Sequence, residues 1–196
     1  MKGEIVAYPT DTVYGLGCDP LNLQALRKLI RAKRRKQGKL PILVDAFGRA
    51  EEIGRFSATA RNLAGEFWPG PLTIVVPSRI RLPEPITDPN DRVGLRVPLR
   101  EATIRLVRAC GGALVGTSAN ISGEVPPRTA PEVARELRGK VKLVLDGGSA
   151  TSGVESSVVD VEDGHVSILR EKAIARGRIF DAMKTGPKIS GVLDQS

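Results

Sequence analysis

Histidine and cysteine are scarce in this chain of 196 residues: His165 is the only histidine, and Cys18 and Cys110 are the only cysteines. One histidine cannot build a multi-histidine metal centre, and its place in the turn Asp163-Gly164-His165 argues against a Ser-His-Asp triad. Two cysteines supply neither a disulfide framework nor a zinc knuckle. They fit a reducing compartment.

Other features are missing too. Aromatic residues make up only 4% of the chain, which is poor material for stacking nucleic-acid bases. No apolar run approaches the ~18 residues of a membrane span, and the N-terminus lacks the apolar core of a signal peptide. We therefore expect a cytoplasmic protein without a membrane anchor. No G-x-x-x-x-G-K-[ST] motif occurs, and Pro20 stands where a dinucleotide fingerprint that begins at Gly15 needs its third glycine.

Positive charge is in excess. Lysine and arginine number 30 against 22 acidic residues, a net charge of +8, and this excess predicts an anionic partner such as a nucleotide, a nucleic acid or a phosphate ester. Arginine supplies 20 of the 30 cations, and its rigid fork suits phosphate and carboxylate groups. The length is sufficient for one domain with a substantial core.

The most informative stretch is YPTDTVYGLG at residues 8–17, directly after a predicted strand. Thr10, Asp11 and Thr12 can each make hydrogen bonds, and the glycines let the backbone turn or approach a ligand closely. Asp19-Pro20 is predicted to begin the following helix, as N-cap and first helical residue. A polar loop between a strand and a helix is typical of binding sites in α/β folds.

Hydrophobic periodicity and turn residues predict the remaining elements. Strands are expected at residues 4–8, 41–44, 72–76, 93–97, 113–116, 143–145, 158–161 and 166–169, and helices at 21–34, 49–53, 58–67, 100–109, 129–137 and 173–183. Leu23, Leu26 and Ile30 are expected to form the apolar stripe of the first helix. Residues 77–90 are predicted to be an irregular surface loop, and the last dozen residues to be weakly ordered. We place one domain at residues 1–175, followed by a helix and tail at residues 176–196.

Charged residues near these elements allow two interpretations. Residues 33–39 carry five positive charges, which fit either a solvated helix end or a phosphate clamp. Arg96 interrupts an apolar strand, where a charge is uncommon unless it is paired or faces a cavity. Polar loops at residues 117–123 and 153–157 also flank strands. We expect these loops, with Lys33, Arg35, Arg96 and Arg170, to form one pocket for a small anionic ligand.

The chain resembles the threonylcarbamoyl-AMP synthase family, the YrdC-like domain, over residues 3–174. The resemblance depends on the order and spacing of several motifs: YPTDTVYGLG at 8–17, Lys33-x-Arg35, FWPGPLTIVV at 67–76, VGLRVP at 93–98, TSANISG at 117–123, and GVESSVVDV from 153 followed by ILR at 168–170. It implies an α/β (α+β) fold with a twisted mixed parallel and antiparallel sheet, flanked by helices around a deep basic cavity.

The resemblance also implies a function. Family members form threonylcarbamoyl-AMP and pyrophosphate from L-threonine, bicarbonate and ATP with Mg²⁺. The product goes to a separate transferase complex that modifies adenosine 37 of ANN-decoding tRNA. The motifs place threonine at Thr12, Arg96, Ser118 and Ser156, and ATP at Lys33, Arg35, Lys39, Asn120 and Arg170. Arg128 lies near a position where the family has a small hydroxyl on the nucleotide. No catalytic residue and no protein metal ligand are assigned.

Several positions depart from the family pattern. Lys36 replaces a proline, Leu40-Pro41 inverts a Pro-Leu pair, and Val44-Asp45 stands where the family often has histidine. Ser157 replaces a threonine, and the extra C-terminal domain of longer members is not expected. The wall of the threonine pocket is therefore expected to differ.

Two alternative functions remain open from the sequence. The net charge also suits a double-stranded RNA or tRNA binding module, although the few aromatics count against it, and weak RNA binding is compatible with either function. YrdC-like domains also occur in enzymes that transfer carbamoyl groups from carbamoyl phosphate. Those enzymes carry further domains.

Overall fold

The computed structural model describes residues 3–36 and 38–184. These residues form ten strands and six helices. The strands are β1 (Val6–Tyr8), β2 (Gly15–Gly17), β3 (Ile42–Val44), β4 (Leu72–Pro77), β5 (Arg92–Arg96), β6 (Ala113–Val115), β7 (Thr117–Ser118), β8 (Leu143–Val144), β9 (Ser157–Glu162) and β10 (His165–Arg170). The helices are α1 (Leu23–Ala32), α2 (Phe47–Ile53), α3 (Ala58–Phe67), α4 (Glu101–Ala109), α5 (Ala130–Glu136) and α6 (Arg176–Lys184).

The strands form two sheets, where the sequence predicted one. The larger has the order β10-β9-β4-β5-β3-β6 and the smaller has the order β7-β2-β1-β8. Both mix the two strand directions: β4 runs parallel to β9 and antiparallel to β5, and β1 runs antiparallel to β2 and parallel to β8. The predicted mixed α/β fold is therefore confirmed, although its strands divide into two sheets.

The division begins in the stretch at residues 8–17. The sequence predicted a loop leading directly to a helix, but Gly15–Gly17 form β2, and Tyr8 pairs with Gly15. A Cβ atom at Gly15 would lie 2.7 Å from the Tyr8 ring, and one at Gly17 would lie 2.4 Å from the carbonyl oxygen of Val115 in the other sheet. The absence of a side chain at Gly15 therefore leaves room for the Tyr8 ring of the same sheet, and its absence at Gly17 allows close packing against the other sheet.

Helix α1 begins later than predicted. Its N-cap is Asn22, whose Oδ1 accepts a hydrogen bond from the backbone N–H of Ala25 at 3.0 Å. Asp19 instead accepts from the N–H of Leu21, in a turn that precedes the helix. The predicted apolar stripe is met in part: Leu26 is buried as predicted, but Leu23 is 50% exposed, and Leu29 is buried in addition. Loop geometry, which the apolar pattern does not encode, fixed both the start and the rotation of the helix.

Other predicted elements agree closely. Helix α3 spans residues 58–67 as predicted, and Thr129 and Glu132, whose spacing in the sequence predicts a capping box, form one at the start of α5. Asp163 and Gly164 both have positive φ, at 47° and 84°, in the turn between β9 and β10. Residues 79–91 contain neither helix nor strand, as expected for the proline-rich loop. In the described ranges, no helix is long and apolar enough to cross a membrane.

The larger sheet has two different faces. Leu72, Ile74 and Val76 of β4 point into the core and are at most 1% exposed. The alternate residues Thr73 and Val75 face a cavity. Because side chains alternate along a strand, the same strands build the core and the floor of the cavity.

The hydroxyl of Ser157 secures the chain after β10. It donates to the carbonyl of Ile174 at 2.8 Å and accepts from the backbone N–H groups of Lys172 and Ile174 at 3.0 and 2.9 Å. Ser157 is fully buried. Helix α6, predicted to begin at residue 173, begins at Arg176 and packs against α3. The predicted weak order beyond residue 184 lies outside the described residues.

We predict that Ser157→Ala lowers the free energy of unfolding by about 2–4 kcal/mol, because it leaves two buried backbone groups of Ile174 and the partly buried N–H of Lys172 without this partner. Ser157→Thr should retain most of the stability, since it keeps the hydroxyl. Ser167→Ala, at an exposed position of β10, is the matched control and should change stability by less than about 0.5 kcal/mol. Urea unfolding of the three variants measures the difference, and equal effects of the two alanine variants would contradict the role of Ser157.

Candidate active site

A cavity of about 340 Å³ lies between the two sheets. Its floor is the exposed face of the larger sheet, and its opposite wall comes from the loop after β1, from β2 and from β7. The volume is in the range of small-molecule sites. The three polar loops that the sequence singled out all contribute to the lining, through Thr12, Ser118 and Ser156.

Arg96 connects the floor to the opposite wall. Its side chain is 6% exposed, and its Nε donates to the carbonyl of Gly70 at 2.9 Å. Its Nη2 donates to Asp11 Oδ2 at 2.6 Å, and its Nη1 donates to Thr12 Oγ1 at 3.2 Å. Burial lowers the pKa of the guanidinium, whereas the Asp11 carboxylate raises it. An arginine stays charged under such conditions, so Arg96 presents a positive charge to the cavity.

Asp11, rather than a carboxylate such as Glu155, is the counter-ion of Arg96 and holds it in place. Its Oδ2 accepts from Arg96, and its Oδ1 accepts from the backbone N–H of Leu99 at 3.2 Å. The contacts of Arg96 with described residues use three of the five N–H groups of a guanidinium. Two N–H groups remain for a ligand in the cavity.

A chain of hydroxyls runs along the wall beside Arg96. Thr10 donates to the carbonyl of Val13 at 2.6 Å, and its oxygen lies 2.8 Å from that of Thr12. Since the Thr10 proton is used on Val13, we assign Thr12 as donor to Thr10 and as acceptor from Arg96. These contacts fix the orientation of the Thr12 hydroxyl.

A second polar group lies on the floor of the cavity around Ser156. The hydroxyls of Ser156 and Thr73 share a hydrogen bond of 3.0 Å. Arg170 donates from Nε to the carbonyl of Ser156 at 2.9 Å and from Nη2 to its hydroxyl at 3.1 Å. Its Nη1 lies 3.5 Å from Glu155 Oε1. Arg170 is therefore held by two good hydrogen bonds while it still lines the cavity.

The basic stretch after α1 is divided between the cavity and the interior. Arg35 and Lys39 line the cavity. Arg35 donates to the carbonyls of Gly38 and Lys39 at 3.3 and 3.1 Å, and Lys39 Nζ lies 3.6 Å from the exposed carboxylate of Glu84. Of the three residues of this stretch that are expected to contact ATP, Arg35 and Lys39 line the cavity, whereas Lys33 does not.

Lys33 is 1% exposed, and its ammonium donates to the carbonyls of Ser118 and Asn120, the second at 2.8 Å, and to Asn120 Oδ1 at 3.2 Å. Burial and, to a smaller extent, Arg35 lower the pKa of Lys33 to about 8, which still leaves it charged at neutral pH. The Asn120 amide donates to the carbonyl of Glu124 at 2.6 Å. Neither Lys33 nor Asn120 lines the cavity, and both secure the loop that carries Ser118.

Arg128 lies on the surface. Its backbone N–H donates to Glu132 in the cap of α5, and its side chain is exposed and outside the cavity lining. A Cβ at Gly153 would lie 2.7 Å from Arg128 Nε, so the side chain runs along the loop before β9.

Four polar lining residues lie outside the loops and basic positions expected from the sequence: Thr73, Asp88, Arg92 and Asp160. Two of them have a signal in the sequence, because Thr73 and Asp160 stand at polar positions that alternate with buried apolar residues in their strands. The pairing of Arg92 with Asp160, at 3.0 Å from Nε, joins β5 to β9 across β4 and has no such signal.

The lining contains five basic and three acidic side chains. Two of the basic groups are themselves buried and paired with carboxylates, since Arg92 pairs with the partly exposed Asp160 and Arg96 pairs with the buried Asp11. The cavity is therefore moderately positive, and its more loosely paired cations are Arg35, Lys39 and Arg170, whose ion-pair contacts in the described part of the chain are 3.5 Å or longer or are not made. Among the residues that the structure describes, no group of three or more His, Cys, Asp or Glu side chains could hold a metal ion.

Comparison with known proteins identifies the family. The Sua5/YciO/YrdC family model, described as "Telomere recombination", matches residues 1–172. The chain belongs to the Sua5/YciO/YrdC family. The family that the motifs predicted is thus confirmed.

Members of the Sua5/YciO/YrdC family similar to this chain include two threonylcarbamoyl-AMP synthases. The protein of Thiobacillus denitrificans is 41% identical over 167 residues, which cover 84% of this chain and 88% of that protein. The protein of Pyrococcus abyssi is 36% identical over 193 residues, covering 93% of this chain but 57% of the relative. The chain therefore spans little more than half the length of the longer relative.

Solved Sua5/YciO/YrdC structures share the fold. The crystal structure of P. abyssi Sua5 complexed with L-threonine matches with a TM-score of 0.88 and 34% identity, over 95% of this chain and 55% of that one. Full-length HypF matches at 20% identity with a TM-score of 0.77, over 87% of this chain and 27% of HypF. At that identity the match to HypF shows a common fold alone.

We predict that Asp11→Ala lowers the free energy of unfolding by about 3–5 kcal/mol, because it leaves the buried guanidinium of Arg96 without its counter-ion. The matched control is Glu52→Ala, which removes the carboxylate of the exposed pair with Arg49 and should cost less than about 1 kcal/mol. Denaturant unfolding of both variants tests this. A small effect of Asp11→Ala would show that the ion pair does not join the two walls.

Proposed function

We propose that this chain is a threonylcarbamoyl-AMP synthase, which forms threonylcarbamoyl-AMP and pyrophosphate from L-threonine, bicarbonate and ATP. The observation that carries the proposal is the convergence of Thr12, Arg96, Ser118 and Ser156 on one cavity in a member of the Sua5/YciO/YrdC family. Relatives that are 41% and 36% identical bear the name of this activity.

Threonine would bind around Arg96. The guanidinium of Arg96 has two N–H groups beyond its protein contacts, which suits a carboxylate held by two parallel hydrogen bonds. The hydroxyls of Thr12, Ser118 and Ser156 line the same cavity and can contact the amino group or the side-chain hydroxyl. The relative from P. abyssi, 34% identical in the matched structure, is known in complex with L-threonine.

ATP would lie toward Arg35, Lys39 and Arg170, the lining cations that are only loosely paired with carboxylates. Its phosphates would face two guanidinium groups and one ammonium, groups that suit phosphate oxygens. Lys33 and Asn120 are also predicted to contact ATP from their motifs. In this structure their polar groups are bound to the protein instead, and they contribute to the site by fixing the loop that carries Ser118.

The chemistry needs positioning and charge stabilisation. The threonine nitrogen bonds to the carbon of bicarbonate with loss of water and a proton, giving a carbamate. A carbamate oxygen then attacks the α-phosphorus of ATP, and the bond to pyrophosphate breaks. No covalent enzyme intermediate is required, so the scarcity of histidine and cysteine is no obstacle. Arg35, Arg170 and Arg96 would hold the reactants and stabilise the negative charge in the transition state.

The remaining parts of the proposal concern cofactor, partners and location. Mg²⁺ would enter as part of the substrate MgATP, held mainly by phosphate oxygens and water. The product would pass to a transferase complex for modification of adenosine 37 in ANN-decoding tRNA. We place the protein in the cytoplasm, where tRNA and a reducing environment for its two free thiols are found together.

We predict that the purified protein releases pyrophosphate only when L-threonine, bicarbonate and ATP are all present. Quantification of pyrophosphate and separation of the AMP adduct by chromatography test the activity. Omission of each substrate in turn is the control. Cleavage of ATP to ADP and phosphate, or pyrophosphate release without threonine, would contradict the proposal.

We predict that Arg96→Lys raises the threonine KM about ten- to a hundredfold while the ATP KM changes much less. Lysine keeps the positive charge near Asp11 but loses the planar fork, and one charge-assisted hydrogen bond is worth about 1.5–3 kcal/mol. Steady-state kinetics with each substrate varied separates the two constants. If Arg96 only braces the sheets, the melting temperature will fall and the ratio of the two KM values will stay unchanged.

A further inference from the structure

Three carboxylates line the cavity, and the protein holds them to different degrees. Asp160 accepts from Arg92 Nε at 3.0 Å and also from Nη2 of the same guanidinium. Asp88 accepts two backbone N–H groups, both at 2.9 Å. Within the described residues, the carboxylate of Glu155 has a single contact, 3.5 Å from Arg170 Nη1. Glu155 is therefore the lining carboxylate that is least constrained.

The backbone of Glu155, in contrast, is well anchored. Its carbonyl accepts from the N–H of Ala173 at 3.2 Å, and the neighbouring N–H of Val154 donates to Ser152 Oγ at 3.1 Å. The side chain beyond this anchor is 30% exposed. A glutamate has three rotatable side-chain bonds, so its carboxylate can move while its backbone stays in place.

Three cations interact with this carboxylate: Arg170 contacts it, and Arg35 and Lys33 interact with it electrostatically. Burial lowers the pKa of the Arg35 guanidinium, nearby Arg170 lowers it further, and Glu155 acts in the opposite direction. Glu155 also raises the pKa of Lys33 against the effect of burial. Arg170 does not need Glu155 for its position, since Ser156 holds it with two hydrogen bonds. The carboxylate of Glu155 therefore interacts with two arginines of the phosphate side, directly with Arg170 and electrostatically with Arg35, although neither arginine depends on it for its position.

We propose that Glu155 is a built-in competitor of the substrate phosphates: its carboxylate neutralises Arg35 and Arg170 in the ligand-free protein, and the phosphates of ATP displace it. The inference rests on the proposed function, because that function brings a triphosphate to these two arginines. A phosphate oxygen and the Glu155 carboxylate seek the same guanidinium N–H groups, and their charges repel each other.

This competition favours release of the product. ATP has its adenosine in addition to its phosphates, whereas pyrophosphate is held by charge alone. The repulsion from Glu155 therefore removes a larger share of the total binding free energy from pyrophosphate than from ATP. The same charge keeps Arg35 and Arg170 from facing each other without a counter-ion when the cavity is empty.

The test is the affinity of Glu155→Gln for pyrophosphate and for ATP, measured by titration calorimetry without Mg²⁺ at low ionic strength. Glutamine keeps the size of the side chain and removes its charge. We expect the pyrophosphate Kd to fall roughly tenfold, as for removal of one like charge near a protein surface, and the difference to shrink as salt is added. In turnover, stronger product inhibition by pyrophosphate should accompany the change.

Glu84→Gln is the matched control. It removes the same charge beside Lys39, another cation of the phosphate side, but from a side chain that is 86% exposed. It should leave the pyrophosphate Kd within about twofold of wild type. Melting temperatures confirm that both variants are folded.

The outcomes separate this inference from the proposed function. A wild-type protein that binds neither ATP nor pyrophosphate overturns the proposed function and the inference with it. A wild-type protein that binds ATP, with Glu155→Gln no different from Glu84→Gln, overturns the inference alone. Weaker pyrophosphate binding by Glu155→Gln also overturns it, because Glu155 would then support the ligand.

Discussion

The buried ion pair between Arg96 and Asp11 is the interaction on which the arrangement of the molecule depends. Arg96 ends a strand of the larger sheet, and Asp11 lies in the loop between the first two strands of the smaller one. Their contact of 2.6 Å joins the two sheets across the cavity. A guanidinium buried to this degree is costly without a counter-ion, so the fold that buries Arg96 must also bring Asp11 to it. The position of the cavity follows from this requirement, because it occupies the space between the two sheets that the pair holds together.

The charged groups of the site combine bracing with availability for a ligand. Arg96 uses three N–H groups on Gly70, Asp11 and Thr12, and Arg170 uses two on Ser156, yet both still line the cavity. Each is thereby oriented before any ligand arrives, which reduces the entropy that binding would otherwise cost. Lys33 lies at the other extreme, since all three of its N–H protons are engaged by the protein and its role is to fix the loop of Ser118. Glu155 has an anchored backbone and a loosely held carboxylate, and so remains free to respond to a ligand.

The site is built largely by strand alternation. In β4, Leu72, Ile74 and Val76 face the core, while Thr73 and Val75 face the cavity. Packing of the core face therefore fixes the height and spacing of the polar groups on the other face. Gly17 allows the two sheets to approach closely, because a Cβ there would collide with the carbonyl of Val115, and Gly15 leaves room for the ring of Tyr8. Substitutions in the core or at these glycines should alter the cavity without touching a ligand.

The sequence by itself determined the local elements and the family. Apolar periodicity located helix α3, and local residue patterns located the capping box of α5 and the turn at Asp163-Gly164. Each of these features depends on residues close together in the chain. Motif order was enough to predict the family, and it named seven residues that line the cavity. Only the tertiary structure divided the strands into two sheets, moved the cap of α1 to Asn22, and paired Arg96 with Asp11, 85 residues away. It also directed Lys33 into the interior and placed Glu155 beside Arg170. Such pairings are set by the long-range packing of one sheet against the other, and periodicity and turn chemistry, which act over a few residues, do not encode them.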